Sequence, residues 1–217
     1  MKKKMIIPIF VSHQGCPNDC VFCNQKRITG VKEVFDEKQI RYHIESYLEG
    51  FKRDKVVEIA FFGGSFTGIS PVLQKKYLEL AAKYIKKYQL DGIRLSTRPD
   101  YINEEILKLL SQYPVKAIEL GVQSLDEEVL KASQRNHTVE DVYKAVRYIK
   151  KTPIELGLQM MIGLPKDTLE KSIQTAKKII AMSPHTTRIY PTVIMRDTAL
   201  EKMYYKGIYQ PLSLDEG

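Results

Sequence analysis

All three cysteines of the chain lie in one short stretch, Cys16-Pro17-Asn18-Asp19-Cys20-Val21-Phe22-Cys23, with the spacing C-x3-C-x2-C. Cysteines this close in sequence are poor disulfide partners, and pairing any two would leave a third thiol over. Thiolates gathered on a short segment bind zinc or an iron–sulfur cluster instead. The stretch therefore predicts a metal site with three protein ligands and a fourth ligand still to be identified.

Several kinds of site are compatible with these cysteines. His13 is a candidate fourth ligand of a structural zinc ion, but it is equally consistent with an ordinary loop or core histidine. Cys20 and Cys23 have the spacing of a redox C-x-x-C motif, although that motif opens a helix and has no third thiol beside it. A [4Fe–4S] cluster held by three cysteines leaves one iron open, and an open metal position is where chemistry takes place.

The sequence on either side of the cysteines follows a regular α/β pattern. Short apolar, β-rich runs alternate with segments of helical period. Strands are predicted over residues 5–12, 56–62, 92–97, 115–122, 153–161 and 187–194. Helices are predicted over residues 36–51, from Ser70, from Asn103, from Ser124, from Thr138, and over a segment with the apolar face Leu169, Ile173, Ala176 and Ile180.

Polar residues at the predicted helix starts support this assignment. Ser70, which precedes a proline, and Asn103 have the character of N-caps. Capping boxes are predicted for Asp36 with Gln39, for Ser124 with Glu127, and for Ser213 with Glu216. Because the last box is followed at once by Gly217, we expect the full-length protein to continue beyond this residue.

The loops that follow the predicted strands indicate the shape of the sheet. Alternating strands and helices imply a parallel sheet with right-handed crossovers. Unusual sequences follow nearly every strand, namely the cysteines, Gly63-Gly64-Ser65, and residues 97–100, 121–124, 163–165 and 190–192. Six consecutive loops meet in one place only if the sheet curves, whereas an open sheet recruits two or three. The sequence predicts an α/β fold, a partial (β/α)6 barrel of the TIM type, as a single domain over residues 1–217.

The start of the chain has a superficial likeness to a signal peptide. The apolar run after Met1-Lys2-Lys3-Lys4 is short, contains Pro8 and lacks a small-residue cleavage site. No stretch approaches the roughly 18 consecutive apolar residues of a membrane span, so no membrane association is expected. Clustered thiols outside disulfides fit a reducing compartment, which predicts a cytoplasmic protein.

The motif C-x3-C-x-aromatic-C, with Phe22 as the aromatic residue, resembles that of the radical S-adenosylmethionine (SAM) superfamily. The resemblance implies a [4Fe–4S] cluster on Cys16, Cys20 and Cys23, with Phe22 beside the cofactor. In that superfamily S-adenosylmethionine chelates the open iron through its amino and carboxylate groups. An electron from the cluster cleaves it into methionine and a 5′-deoxyadenosyl radical, which abstracts hydrogen from a substrate. The missing fourth ligand is thus implied to be the cofactor.

The same resemblance implies further cofactor-binding residues. Gly63-Gly64-Ser65 is similar to the glycine motif that receives the methionine amino group, and residues without a Cβ let backbone carbonyls approach a ligand closely. Gln123 is similar to the residue that bonds the ribose hydroxyls, and Arg135 to the arginine that reaches the cofactor carboxylate. Gly163-Leu164-Pro165 is similar to the loop that passes near the adenine.

A closer resemblance is to the radical SAM domain of the Elongator catalytic subunit and its bacterial relatives. Matching segments run in order from about residue 9 to 211, including residues 97–101, 120–124 and 190–194. That subunit has a longer gap between its first two cysteines and a glutamate where this chain has Ser96. A weaker likeness to oxygen-independent coproporphyrinogen oxidase fails at Gln159, where that enzyme has an aspartate.

The resemblance implies a radical enzyme that abstracts hydrogen from a substrate, with a tRNA base as the candidate. A flavodoxin or ferredoxin is implied as the electron donor. The alternative is a zinc-stabilised RNA-binding module without radical chemistry. The formal net charge of +8 is compatible with an RNA partner in both cases, but lysines spread over several helices are equally consistent with solvated helix faces.

Overall fold

Six parallel strands form one sheet in the computed structural model, which describes residues 4–11, 16, 19–24, 37–49 and 55–216. The strands lie side by side in their sequence order, as consecutive β/α units require. They are β1 (Lys4–Phe10), β2 (Val56–Phe62), β3 (Gly92–Thr97), β4 (Val115–Gln123), β5 (Glu155–Ile162) and β6 (Thr186–Pro191). All six predicted strands are confirmed, although β6 ends sooner than expected, at a proline that lacks an amide hydrogen.

Seven helices lie within the described residues. They are α1 (Glu37–Leu48), α2 (Pro71–Tyr88), α3 (Glu104–Leu110), α4 (Glu127–Ala132), α5 (Val139–Ile149), α6 (Leu169–Ala181) and α7 (Ala199–Tyr205). Short 3-10 turns at Phe66–Gly68 and Pro99–Tyr101 follow β2 and β3. In this part of the chain, none of the helices combines the length and the apolar character needed to cross a membrane.

The two faces of the sheet differ in chemistry because side chains alternate along every strand. On the outer face, Ile59, Leu95 and Leu158 are at most 1% exposed and belong to the main core shared with the helices. Burying an aliphatic side chain of this size stabilises the fold by about 1.5–3 kcal/mol. The inner face carries charged residues, among them Arg94 and Glu119, which are also buried. The apolar core therefore lies outside the sheet, and a polar space lies inside it.

Curvature of the sheet follows from where the inner-face residues meet. Residues from all six strands, from Phe10 on β1 to Tyr190 on β6, line a single cavity. In a flat sheet β1 and β6 would lie about 24 Å apart, because neighbouring strands are about 4.8 Å apart. Within the described residues β1 pairs only with β2 and β6 only with β5, so the barrel is open on one side. The predicted partial barrel is confirmed.

Most of the predicted helix starts are confirmed. Ser70, Asn103 and Thr138 each accept a hydrogen bond from a backbone amide in the first turn of the helix that follows. Both the amide and the hydroxyl of Ser213 donate to the carboxylate of Glu216, at 2.9 and 2.7 Å, but the residues between them form a turn. Other expectations fall outside the described residues: Ser12 in β1, Asp36 and Phe51 at the ends of α1, His13, and Gly217.

The capping box predicted for Ser124 and Glu127 is wrong. Asp126 is the N-cap of α4, and its carboxylate accepts a hydrogen bond from Val129 N at 3.0 Å. Ser124 is buried instead, with its hydroxyl 3.5 Å from that of Thr175 on α6. Ser124 therefore packs the segment after β4 against α6 and does not cap a helix.

The apolar face predicted for α6 is wrong for most of its residues. Leu169, Ile173 and Ile180 are exposed, and only Ala176 packs against the core. The helix buries Thr175 and Ile179 instead. Because the Thr175 hydroxyl accepts a hydrogen bond from Leu125 N at 3.1 Å, the polar residue fixes the rotation of the helix and turns the aliphatic side chains outward.

Candidate active site

The three cysteines lie together at the carboxyl ends of the strands. Cys16, Cys20 and Cys23 all line the cavity inside the sheet, whose volume is about 640 Å³. Cys20 is buried, the other two are half-buried, and none is in a disulfide. The structure thus brings the predicted metal ligands to the end of the barrel at which β/α barrels bind their ligands.

Two distant parts of the chain hold the cysteine loop in place. Val21 N donates a hydrogen bond to Ser133 O at 3.1 Å, and Leu200 N donates one to Val21 O at 2.8 Å. The side chains of Val21, Leu200 and Tyr209 form a second, smaller hydrophobic cluster. The loop therefore packs against α7, a helix that the sequence pattern does not predict.

The placement of the thiols is compatible with an iron–sulfur cluster. In an iron–sulfur cluster the thiolates bind different irons, so the sulfur atoms need only surround a common space. Three thiols around one cavity meet that requirement. The donor set therefore fits a [4Fe–4S] cluster with one open iron.

Arg135 connects the cysteine loop to β4. Its Nη1 lies 3.6 Å from the Sγ of Cys20, and its Nη2 donates to the carbonyl oxygen of Gly121 at 2.8 Å. A Cβ at position 121 would lie 2.9 Å from Nη2, so glycine makes this approach possible. Among the described residues, the buried Nε has no hydrogen-bond partner. A guanidinium with a donor to spare fits the carboxylate that the family resemblance assigns to Arg135.

A second guanidinium, that of Arg98, flanks the cysteines. Arg98 is 2% exposed, and its Nε and Nη2 donate to the two carboxylate oxygens of Asp100, each at 2.9 Å. Burial lowers the pKa of Arg98, but Asp100 and the charges of Cys16 and Cys20 outweigh burial and raise the pKa above its ordinary value. Arg98 therefore stays protonated and places a buried guanidinium beside Cys16 and Cys20.

The loop Gly63-Gly64-Ser65 lines the cavity beside the cysteines. Gly63 has a φ of +83°, a conformation that favours glycine. Ser65 is fully buried; its Oγ lies 2.8 Å from Thr97 Oγ1 and accepts a hydrogen bond from Arg98 N at 3.3 Å. The Ser65 hydroxyl thus joins the ends of β2 and β3 and shapes the loop.

Gln123 lies at the end of β4 in a backbone conformation that residues other than glycine rarely adopt, with φ of +66°. A bulge between Gly121 and Gln123 shifts the register of β4 against β5. The side chain lines the cavity, and its Oε1 accepts a hydrogen bond from Gln159 Nε2 at 3.2 Å. Bulges and left-handed residues of this kind concentrate at functional sites, which supports the role expected of Gln123.

The remaining predicted site residues divide into two groups. Phe22 lines the cavity with the cysteines. Gly163 and Leu164 do not: Leu164 is buried, and the carbonyl oxygen of Gly163 accepts a hydrogen bond from the Tyr209 hydroxyl at 2.7 Å. A Cβ at Gly163 would lie 2.7 Å from the Leu212 side chain. The structure therefore places this loop next to the C-terminal segment, and its contact with adenine stays a prediction.

His137 is a buried neutral residue beneath the site. It is 3% exposed, and its Nε2 donates to the carbonyl oxygen of Val122 at 3.2 Å. Burial, together with the positive charges of Arg135 and Arg98, lowers the pKa of His137 to about 3. The imidazole is therefore uncharged at neutral pH and adds no further positive charge near the cysteines.

The inner face of the barrel contributes charged residues that sequence reasoning missed. A chain of ion pairs crosses the sheet through Lys4, Glu58, Arg94, Glu119 and Arg188. The last two of these line the cavity. The sequence did carry a signal, because a charge inside an otherwise apolar strand, such as the glutamate within Val56–Phe62, must find a partner when it is buried.

A partial parallel barrel with three cysteines at its carboxyl end defines a class of iron–sulfur enzymes, and the family comparison agrees. The model of the radical SAM superfamily matches residues 10–179, and that of the radical SAM C-terminal domain matches residues 184–217. Because the first match covers most of the chain, this protein belongs to the radical SAM superfamily.

The expected likeness to the Elongator catalytic subunit is also confirmed. The chain is 25% identical over 256 residues to the tRNA uridine(34) acetyltransferase of Methanocaldococcus infernus, covering 97% of this chain and 47% of that protein. It is 28% identical over 196 residues to Elongator complex protein 3 of Homo sapiens, covering 81% and 36%. An uncharacterized protein of Methanocaldococcus jannaschii is 30% identical over 209 residues, covering 91% and 64%.

Among solved structures, the archaeal Elp3 of Methanocaldococcus infernus has the same fold. The TM-score is 0.78 at 23% sequence identity, and the match covers 100% of this chain and 52% of that one. The chain thus spans less than two thirds of the length of these relatives.

Proposed function

We propose that this chain reductively cleaves S-adenosylmethionine at a [4Fe–4S] cluster and uses the resulting 5′-deoxyadenosyl radical to abstract hydrogen from a substrate. The observation that carries the proposal is the placement of Cys16, Cys20 and Cys23 around one cavity, with the guanidinium of Arg135 against Cys20. Membership in the radical SAM superfamily supports it independently. No observation favours a structural zinc module.

Each group of residues has a defined task in this proposal. The three cysteines would hold the cluster, and the guanidinium groups of Arg98 and Arg135 would lie beside it. Arg135 would also bind the carboxylate of the cofactor through guanidinium N–H groups that are not already used in hydrogen bonds within the described residues.

The walls of the cavity would bind the rest of the cofactor. The loop Gly63-Gly64, held in shape by the buried Ser65, would receive the methionine amino group. Gln123 would bind the ribose hydroxyls, with Gln159 fixing the Gln123 amide. Phe22 would contribute an apolar contact from the cavity wall, whereas Gly163-Leu164 lies outside the cavity and is assigned to the adenine by the family resemblance alone.

A tRNA base is the substrate we propose. The relatives include proteins named tRNA uridine(34) acetyltransferase, and the net charge of +8 favours a polyanionic partner. Flavodoxin or ferredoxin would supply the electron. The three cysteines outside disulfides support a cytoplasmic location.

Cofactor cleavage tests the enzymatic part of the proposal. After anaerobic reconstitution we expect about four irons per chain, and dithionite with S-adenosylmethionine should release 5′-deoxyadenosine. Alanine at position 16, 20 or 23 should abolish the release while the circular dichroism spectrum stays unchanged. Exposed Ser46→Ala serves as a matched control and should retain full release. A fully loaded cluster that never cleaves the cofactor, or zinc in place of iron in protein purified without air, would contradict the proposal.

The salt dependence of binding tests the substrate. If tRNA is bound through its phosphates, its affinity should fall steeply between about 50 and 200 mM salt, because each phosphate contact releases a counterion. Filter binding with a full-length tRNA transcript measures this slope. Affinity that ignores salt, or no binding at low salt, would rule out tRNA as the substrate and leave the cleavage chemistry untouched.

A further inference from the structure

Arg188, on β6, presents a positive charge to the cavity from the wall opposite β2. Its side chain is 40% exposed and lines the cavity. Its Nη2 donates to Glu119 Oε1 at 2.9 Å, and the same oxygen accepts a hydrogen bond from Arg94 Nη1 at 3.0 Å. One carboxylate oxygen of Glu119 thus accepts hydrogen bonds from two guanidinium groups. The negative charge of Glu119 therefore neutralises Arg188 only in part.

The other carboxylates of the inner face are committed elsewhere. Glu58 accepts from Arg94 Nε at 2.7 Å and pairs with Lys4 Nζ at 2.9 Å. Glu155 lies 3.9 Å from Arg94 Nη2 and is 33% exposed, so water screens it. Among the ion pairs of the described residues, Arg188 therefore pairs only with Glu119, and it shares that carboxylate with Arg94.

Arg188 is nevertheless held in a defined position. Its Nη1 donates to the Tyr190 hydroxyl at 3.2 Å, and its guanidinium carbon lies 5.5 Å from the centre of the Phe62 ring. A guanidinium fixed by an aromatic face and one hydroxyl loses little freedom when it binds a ligand, which favours a preformed site.

The sheet places Arg188 near the residue assigned to the ribose. Arg188 pairs in register with Gln159 on β5, and the Gln159 amide donates to Gln123 on β4. The three side chains form a row across β4, β5 and β6 on the cavity wall. A ligand group bound to Arg188 would therefore lie one strand beyond Gln159, on the side of the cavity away from Gln123.

The other two arginines of the cavity are accounted for. Arg98 is neutralised by Asp100 through two hydrogen bonds. Arg135 contacts the cysteine loop and is assigned to the cofactor carboxylate. The proposed function assigns Arg188 no role in binding the cluster or the cofactor.

We propose that Arg188 anchors an oxyanion of the substrate, a carboxylate or a phosphate, and so fixes which substrates can present a hydrogen to the radical. This inference rests on the proposed radical chemistry. The guanidinium fork matches both oxyanions through paired N–H donors, whereas the ammonium of a lysine does not. The apolar side chains of Phe10, Phe62 and Met161 in the same cavity would contact the uncharged part of the substrate.

Thermal unfolding of the cluster-loaded protein tests this site without any cofactor cleavage. The probes are inorganic phosphate and succinate, each compared with sodium chloride at equal ionic strength. A ligand that binds the folded state raises the melting temperature by mass action, so we expect a saturable rise with at least one oxyanion and none with chloride. The probe with the greater effect identifies the oxyanion as phosphate or carboxylate.

Substitution at Arg188 connects the effect to this residue. Arg188→Gln should weaken the apparent oxyanion affinity at least about tenfold, whereas Arg147→Gln, at a side chain that is 61% exposed, should respond as the wild type does. If Arg188→Gln does not fold, Arg188→Lys decides: it retains the charge but should bind the probe more weakly because the fork is lost. An unchanged response in the folded Arg188 variant, or no response beyond chloride in the wild type, would overturn the inference. Because 5′-deoxyadenosine release is measured separately on the wild type, failure of this test is distinguished from failure of the proposed chemistry and leaves that chemistry standing.

Discussion

The guanidinium of Arg135 lies 3.6 Å from the sulfur of Cys20, although the two residues are far apart in sequence. The same side chain donates to the carbonyl oxygen of Gly121, at the bulge that turns Gln123 into the cavity. One residue therefore ties a predicted cluster ligand to the strand that is expected to bind the ribose. Arg135 thus connects the two parts of the expected cofactor site.

Arg135→Lys should weaken cofactor binding without loss of the cluster. Lysine retains the charge but cannot reach Cys20, Gly121 and a carboxylate at once. We expect the affinity for S-adenosylmethionine to fall by about 1–3 kcal/mol, which is about 5- to 150-fold. Calorimetric titration of the cluster-loaded protein measures it, and Arg147→Lys at the exposed pair with Glu140 is the matched control. Loss of iron with unchanged affinity per cluster would show that Arg135 serves the cluster alone.

Gly121→Ala should lower the cofactor affinity strongly but the free energy of unfolding only slightly. The new Cβ would lie 2.9 Å from Arg135 Nη2 and 2.9 Å from Gln123 Nε2. Both atoms end flexible side chains that can move aside, so we expect about 1 kcal/mol or less of lost stability in urea unfolding. Cofactor affinity should fall about tenfold or more, because the displaced groups lose their hydrogen bonds.

Gly207→Ala offers the opposite pattern as a control. Nothing lies within 4 Å of its added Cβ, but its φ of +68° is unfavourable for alanine. We expect a stability loss of about 1 kcal/mol without any change in cofactor affinity. Equal affinity losses in the two variants would contradict the special role of Gly121.

Acidification should destabilise the fold through His137. Its folded pKa of about 3 is below the ordinary 6.5, so the unfolded chain binds the proton more readily. Its contribution to stability is therefore fully present above pH 6.5 and is lost as the pH falls towards 3. At about pH 5 the loss should reach about 2 kcal/mol. Urea unfolding at several pH values should show this slope in the wild type and a flatter one in His137→Gln. Parallel curves for the two proteins would refute the assignment.

Arg94 should be a major determinant of stability. Arg94→Met leaves the buried carboxylates of Glu58 and Glu119 without their shared guanidinium. Breaking a buried ion pair in this way costs about 3–5 kcal/mol. The exposed pair of Arg147 and Glu140 provides the contrast, since Arg147→Met should cost about 1 kcal/mol or less. Chemical denaturation of both variants measures the two losses in the free energy of unfolding. Similar losses would mean that the buried ion pairs of the inner face contribute no more to stability than an exposed pair.

Much of this architecture could be predicted from local sequence signals. Apolar runs set the strands, and the position of unusual loops after them predicted the curved sheet. The cysteine motif predicted the metal ligands because their spacing is itself the signal. What failed depended on contacts between distant segments. The hydrogen bond from the Leu125 amide to Thr175 fixes the rotation of α6, and the spacing of apolar residues in the sequence does not reveal such a bond.

The charged inner face illustrates the same point for the site. Glu119 and Arg188 are 69 positions apart in sequence, and only the register of the strands brings them together. The sequence shows that each lies in a strand and carries a charge, but not which charge pairs with which. Most residues that a motif identifies therefore line the cavity as expected, whereas those defined only by sheet geometry were missed.

Electron paramagnetic resonance of the dithionite-reduced, reconstituted protein tests the central claim most directly. If Cys16, Cys20 and Cys23 hold a [4Fe–4S] cluster with one open iron, addition of S-adenosylmethionine should change the spectrum of the reduced cluster, because the cofactor becomes an iron ligand. Arg135→Lys should require a higher cofactor concentration for the same change. A cluster spectrum that is unaffected by saturating S-adenosylmethionine, or the lack of any cluster signal after reconstitution, would contradict the account.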